Sequence, residues 1–277
     1  MTIYGLIAQP ATHSLSPVMQ NKMMAARHID AYYQAFDVAP AQLDVAVAGM
    51  RVLKVGGFNV STPHKSAIIP YLDELTPLAQ RLQAVNTVKN VKGRLIGTST
   101  DGDGFWQSIP RNQPHERVVL LGTGGAARAV MATAQQYGVR QLTVFNRAHL
   151  DWSQRETTVA YLSQGIGQLA DLADNQTLSA ALQQADLLIN ATTVGMNDAR
   201  TLLTDYQIGL LPQHTLVVDM IYRNQQTGLL RAAANRQLPT QNGLAMLVNQ
   251  GALSFEYWFN QPADRQLMAE TIRGKIK

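Results

Sequence analysis

Short apolar runs rich in valine, isoleucine and leucine punctuate the whole chain, separated by stretches in which apolar residues recur at helical spacing. In the first hundred residues the runs Ile3–Ala8, Tyr32–Val38, Gly57–Val60, Ala84–Val91 and Arg94–Thr98 read as strands, and the alternation predicts an α/β layer. One helix has a legible start: Ser16 as N-cap and Pro17 at the first helical position, ahead of Val18–Met24. A polar segment with two prolines, Ile109–His115, reads as a linker. After it, Val118–Leu121, Leu142–Phe145, Leu187–Asn190 and Leu216–Asp219 are continuous apolar runs, the signature of strands buried on both faces of a parallel, doubly wound sheet. The stretch from Gly243 to Lys277 reads as two helices divided near Pro262, and periodicity does not say which sheet they cover.

The length of 277 residues suits two domains of α/β class better than one core. The expected division is an α/β substrate-binding catalytic domain over 1–104 plus 243–277, and a Rossmann-like nucleotide-binding domain over 105–242. Hydrophobic residues at 46% and charged residues at 15% describe a folded globular chain. The formal charge of +4 favours anionic ligands, but the basic residues are scattered, so no nucleic-acid partner is expected. The absence of cysteine excludes disulfides, thiolate metal sites and cysteine nucleophiles. No signal-like start and no apolar run of membrane-spanning length is present, so a cytoplasmic protein without a membrane partner is expected.

The most specific local pattern is Val118-Val-Leu-Leu-Gly-Thr-Gly-Gly-Ala-Ala127, a glycine-rich turn between a strand and a helix. Gly122 suits the tight turn, Gly124 and Gly125 let a pyrophosphate approach the backbone, and Ala127 allows helix-on-strand packing. The helix that follows would point its N-terminus at the phosphates. With the right strand before and the right strand after, this predicts dinucleotide binding.

Three polar clusters in the first domain are harder to explain as structure: His13–Pro17, Asn59–Lys65 and Thr98–Phe105, with Ala84–Thr87 between the last two. Together with the glycine loop, Asn190–Met196, Asp219–Tyr222 and Asn242–Gln250, they resemble the shikimate dehydrogenase family over nearly the whole chain. The resemblance implies reversible reduction of 3-dehydroshikimate to shikimate with NADPH, without a metal, in the pathway to aromatic compounds. It implies an active site in a cleft between the domains. Lys65 matches the catalytic lysine and Asp101 its partner. An ammonium beside the ketone would stabilise the developing oxyanion and deliver a proton. By similarity, Ser14 and Ser16 bind the substrate carboxylate, Ser61, Asn86 and Gln250 contact ring hydroxyls, and Tyr222 lies beside the substrate. Gly122, Thr123, Gly124, Gly125, Ala126, Asn146, Arg147, Asp151, Ile221 and Gly243 are the implied cofactor contacts. His13 and His64 are not needed for the chemistry, since no positioned carboxylate can be inferred for either.

Some positions depart from the family pattern. After Asn146-Arg147 the family carries a second basic residue that grips the 2′-phosphate of NADP, and here Asp151 stands there. Asp151 either faces an NAD ribose or caps the following helix. Ser61 in place of threonine, Ser99 in place of asparagine and Pro77 after Thr76 resemble the quinate/shikimate branch. The expected cofactor is NADP with NAD as the alternative, and the expected substrate is shikimate with quinate as the alternative. A nucleotide-binding regulator that has lost catalysis is the reading from another class. Monomer and homodimer both remain open.

Overall fold

The computed structural model describes residues 1–112, 115–222 and 226–275. Gln113 and Pro114 of the expected linker, and the end of the expected C-terminal segment, lie outside the described residues. The chain divides into two compact units, Met1–Gly104 with Val248–Lys275, and Phe105–Leu247.

In the first unit, strands β1 (Thr2–Ala8), β2 (Ala31–Asp37), β3 (Gly57–Val60), β4 (Glu74–Leu75), β5 (Thr87–Val91) and β6 (Arg94–Thr98) form one sheet in the order β2-β1-β3-β5-β6-β4. β1 runs parallel to β2 and β3, whereas β5 is antiparallel to both β3 and β6. The sheet is therefore mixed. β1 sits inside it and is buried from Tyr4 to Ala8, as a continuous apolar run requires. Helices α1 (Ser16–Ala26), α2 (Leu43–Val52) and α3 (Pro77–Leu82) belong to this unit, and α4 (Asp101–Ser108) carries the chain out of it. Ile7, Phe58, Val60, Val85, Val88 and Leu95 lie at the centre of its core.

The second unit is a sheet of β7 (Arg117–Leu121), β8 (Gln141–Asn146), β9 (Gly167–Asp171), β10 (Leu187–Asn190), β11 (Leu216–Asp219) and β12 (Thr240–Asn242). Its order is β12-β11-β10-β7-β8-β9 and every pairing is parallel. This is the doubly wound dinucleotide-binding topology, with its switch point between β7 and β10. The helices are α5 (Gly125–Thr133), α6 (Trp152–Leu162), α7 (Asn175–Leu182), α8 (Asp205–Ile208) and α9 (Gly228–Ala234). Ser108 Oγ accepts a hydrogen bond from Gln241 Nε2 at 3.2 Å, tying the two ends of this unit together.

Helix α10 (Leu244–Phe259) returns the chain to the first unit and α11 (Arg265–Arg273) follows. They are divided by the segment containing Pro262, as the pattern predicted. Met268 and Ile272 of α11 are buried, and α11 lies along α1. The second unit extends past Gly243 to Leu247. Gly243 is held there because its N–H donates to Ile221 O at 3.1 Å. A Cβ at Gly243 would lie 2.0 Å from Met220 O.

One local expectation fails. Ser16 is the first residue of α1 rather than its cap: Leu15 occupies the cap position without a side-chain bond, and Ser14 Oγ accepts the Ser16 N–H at 3.2 Å. The capping hydroxyl thus comes from Ser14, which leaves that of Ser16 available for other contacts. Among the described residues, no helix is long and apolar enough to cross a membrane.

Candidate active site

Register places the polar clusters of the first unit along one sheet edge. Ile7 pairs with Val60, Asn59 with Thr87 and Thr87 with Thr98, so the C-terminal ends of β1, β3 and β6 meet the start of antiparallel β5. Ser14, Ser61, Lys65, Asn86 and Asp101 all belong to the segments that leave or enter this edge.

Lys65 Nζ donates to Asp101 Oδ2 at 2.6 Å, with the two side chains 31% and 12% exposed. The other carboxylate oxygen accepts from Asn86 Nδ2 at 2.8 Å. Both oxygens are thus engaged by side chains, and Asp101 is the first residue of α4. Asn86 is fixed in turn: its Oδ1 accepts the Thr100 N–H at 2.8 Å and the Thr87 hydroxyl at 3.0 Å. Thr100 Oγ1 donates to Gln250 O at 3.0 Å, which links this corner to α10.

Behind Asn86 the network runs deeper. Asn59 Nδ2 donates to Asn86 O, Thr87 Oγ1 and Ser254 Oγ, each at 3.0 Å, and Asn59 Oδ1 accepts the Tyr33 hydroxyl at 2.7 Å. Tyr33 is fully buried, and burial pushes its hydroxyl well above the ordinary tyrosine value, with the Ser16 hydroxyl as an opposing hydrogen-bond partner. Sequence reasoning had assigned no role to Tyr33, Asn59, Thr100 or Ser254. The Asn59 cluster was visible, but pairing over 195 residues with Ser254 left no local signal.

Ser61 follows β3, where its N–H donates to Ile7 O at 2.9 Å and its carbonyl accepts from His64 N at 2.8 Å. His64 is 1% exposed and its Nε2 lies 2.7 Å from Val38 O, so it is a core histidine, in line with its exclusion from the chemistry.

The second unit gathers the predicted cofactor residues at the C-terminal ends of its parallel strands. Gly122 follows β7 with φ +103°, where a Cβ would also meet Thr192 at 2.8 Å, so the turn demands glycine for structural reasons. Gly124 and Gly125 are different: nothing lies within 4 Å of a Cβ built on either, so protein packing does not require them to be small. Open space over the backbone at the start of α5 is what a pyrophosphate needs. These residues fit a dinucleotide. Ala126 is partly exposed on the first turn of α5, and Ala127 is fully buried against the sheet.

Asn146 ends β8 and its Nδ2 donates to Thr123 Oγ1 at 2.8 Å. Arg147 is exposed beside it. Asp151 precedes α6 but makes no capping bond, contrary to the expectation of a helix cap. Its Oδ1 accepts from Arg155 Nε at 2.7 Å and lies 2.9 Å from His149 Nδ1. Arg155 holds this carboxyl below the ordinary range, burial opposes it, and His149 adds to the depression.

Ile221 N–H donates to Asp219 Oδ1 at 3.1 Å, and Tyr222 follows, half-buried. Asp219 is fully buried; burial raises its carboxyl above the usual range, while Thr227, the Ile221 N–H and Asn190 hydrogen-bond to it and oppose the rise. It holds the turn carrying Ile221 and Tyr222, a supporting role that its place at the end of an apolar strand had not revealed.

Two family models match: the shikimate dehydrogenase substrate binding domain over residues 6–88, and the shikimate 5′-dehydrogenase C-terminal domain over residues 243–273. A shikimate dehydrogenase (NADP(+)) of Symbiobacterium thermophilum is 43% identical over 265 residues, spanning 94% of this chain and 89% of that protein. The chain belongs to the shikimate dehydrogenase family. A second relative, the shikimate dehydrogenase (NADP(+)) of Latilactobacillus sakei, is 42% identical over 272 residues, spanning 94% and 91% of the two chains. Among solved structures, the shikimate 5-dehydrogenase of Listeria monocytogenes in complex with shikimate and NAD has a TM-score of 0.91 and 35% identity, covering 98% of this chain and 96% of that one. This family has a substrate-binding and a Rossmann-like nucleotide-binding domain, which correspond to the mixed-sheet and parallel-sheet units described above.

Proposed function

We infer that this chain is a shikimate dehydrogenase, an oxidoreductase that interconverts 3-dehydroshikimate and shikimate with NADP(H). The observation that carries the reading is the Lys65–Asp101 pair, set at 2.6 Å and fixed by Asn86, in a family whose members at 42% and 43% identity are named for this activity.

When bound, NADPH supplies the hydride. The chain's own residues handle the proton and the position of the substrate. Lys65 donates a proton to the oxygen that gains charge as the ketone is reduced, and it removes that proton in the reverse direction. Asp101 keeps the ammonium aimed. Asn86 prevents Asp101 from turning, so little reorganisation is left for the moment of reaction. Ser14 and Ser16 hold the substrate carboxylate with neutral donors, and Ser61, Asn86 and Gln250 contact ring hydroxyls. Tyr222 belongs to the second unit, and its assignment to the substrate rests on the resemblance alone. Gly122–Ala126, Asn146, Arg147, Ile221 and Gly243 form the cofactor side.

The alternative of quinate with NAD is weakened, because Oδ1 of Asp151, the acid that suggested an NAD ribose contact, is engaged by Arg155 and His149. The test is kcat/KM for shikimate and quinate, each with NADP⁺ and NAD⁺, at one pH and salt concentration. Shikimate with NADP⁺ is expected to be the best of the four by at least about tenfold, the scale of one lost charge-assisted contact. Faster turnover of quinate with NAD⁺ would overturn the assignment, and cofactor binding without any turnover would favour a regulator.

A further inference from the structure

Arg155 belongs to none of the motifs that announce this family. It lies in the first turn of α6, four residues after Asp151, and that spacing puts the two side chains on one helix face. Its Nε donates to Asp151 Oδ1 at 2.7 Å and its Nη1 donates to Thr123 Oγ1 at 3.1 Å. Thr123 stands between Gly122 and Gly124 and also receives Asn146 Nδ2 at 2.8 Å. The guanidinium thus bridges α6 to the glycine loop, close to where β8 hands the chain to the exposed Arg147.

A guanidinium has five N–H donors, and two of these are used here. The Nη2 edge has no partner among the described residues. At 30% exposure the side chain is ordered by its two bonds yet still open to solvent. Asp151 occupies the Nε side only, so it orders the fork without consuming it.

By sequence, Asp151 stood where the family has a second cation, and an acid there repels phosphate. With Arg155 bonded to it, the acid brings a cation to the place it had seemed to deny one. We propose that Arg155 is the second cation of the 2′-phosphate grip, carried one helical turn beyond the family position, with Asp151 as its positioning residue. Arg147 and Arg155 together then select NADP over NAD. The charged and titratable neighbours of the grip are Arg147, His149 and Asp151, with Asp151 paired to Arg155. This proposal rests on the reading of NADP as the cofactor and names the residue that enforces it.

Calorimetric titration of NADP⁺ and NAD⁺, which differ only by the 2′-phosphate, tests the proposal without reference to turnover. Arg155→Gln is expected to weaken NADP⁺ by about tenfold or more and to leave NAD⁺ within about twofold, as loss of a charge-assisted phosphate contact should. Arg155→Lys keeps the charge and is expected to retain part of the preference. It also stands in should the glutamine variant fail to fold, because an ammonium lacks the fork and the preference for NADP⁺ must still fall. Equal weakening of both cofactors would mean that Arg155 only supports the glycine loop through Thr123, and an unchanged preference in both variants would remove it from the grip. Either result overturns the proposal while wild-type preference for NADP⁺ keeps the cofactor reading intact. Wild-type binding of NAD⁺ as tight as that of NADP⁺ sinks both.

Discussion

The Lys65 corner of the first unit and the glycine-loop side of the second treat their polar side chains in opposite ways. In the first, Lys65, Asp101, Asn86, Thr100 and Asn59 satisfy one another, and the network is buried except at the lysine end. In the second, the space over Gly124 and Gly125 is open, Arg147 is exposed and the Nη2 edge of Arg155 has no protein partner among the described residues. A proton carrier works best when its geometry is fixed before substrate arrives, so its supports are internal. A phosphate cradle works by leaving donors for the ligand to fill.

Lys65→Ala is the most severe test of this division. It is expected to lower kcat by about 10²–10⁴ through loss of the proton donor, with NADP⁺ affinity and melting temperature nearly unchanged. A matching loss of NADP⁺ affinity would break the separation of roles. Next comes a pair of glycines. Gly124→Ala meets no protein atom, so NADP⁺ binding is expected to weaken about tenfold while stability stays within about 0.5 kcal/mol. Gly122→Ala meets Thr192 and a positive φ, and is expected to cost about 2 kcal/mol of stability in a denaturant titration. Should the two variants behave alike, the distinction between a structural and a ligand-facing glycine fails.

The smallest effect lies outside both sites. Asp73 accepts the Leu95 N–H at 2.7 Å and Arg51 Nη1 at 2.6 Å, and these partners, Leu95 first, hold its carboxyl below the ordinary range. A depressed carboxylate stabilises the fold above its unfolded value of about 3.9, and that contribution is lost as pH falls through the folded value. The melting temperature of Asp73→Asn should therefore lie slightly below wild type at pH 7 and converge with it as pH falls through the folded value. A gap that persists in acid would assign the effect to lost packing rather than charge.

How much of this was legible depended on burial. The interior strands β1, β7, β10 and β11 announced themselves because both faces are covered and their buried stretches are mainly apolar. β4, β9 and β12 did not. All three are edge strands, β4 has two residues, and Thr240-Gln-Asn242 contains no apolar side chain. In the catalytic corner, residue types and order carried the resemblance, while the Tyr33–Asn59–Ser254 support stayed hidden because sequence does not give register across distant segments. At the cofactor side the acid at 151 was visible but its partner was not credited, although the spacing of four to Arg155 was a readable sign of an ion pair. Ser16 was misplaced by one position because two serines flank Leu15 and either could supply the capping oxygen.

The hydrogen bond between Ser108 and Gln241 also bears on how the chain assembles. Closing Asn59 onto Ser254 joins segments 195 residues apart, and the entropic cost of such a loop rises with the logarithm of its length. Once the parallel-sheet unit has folded, Ser108 and Gln241 already lie side by side, and the same closure spans two short arms instead of one long coil. Where the parallel-sheet unit folds first it acts as a clasp for the Asn59–Ser254 corner, and damage to its core is expected to slow the formation of that corner on refolding.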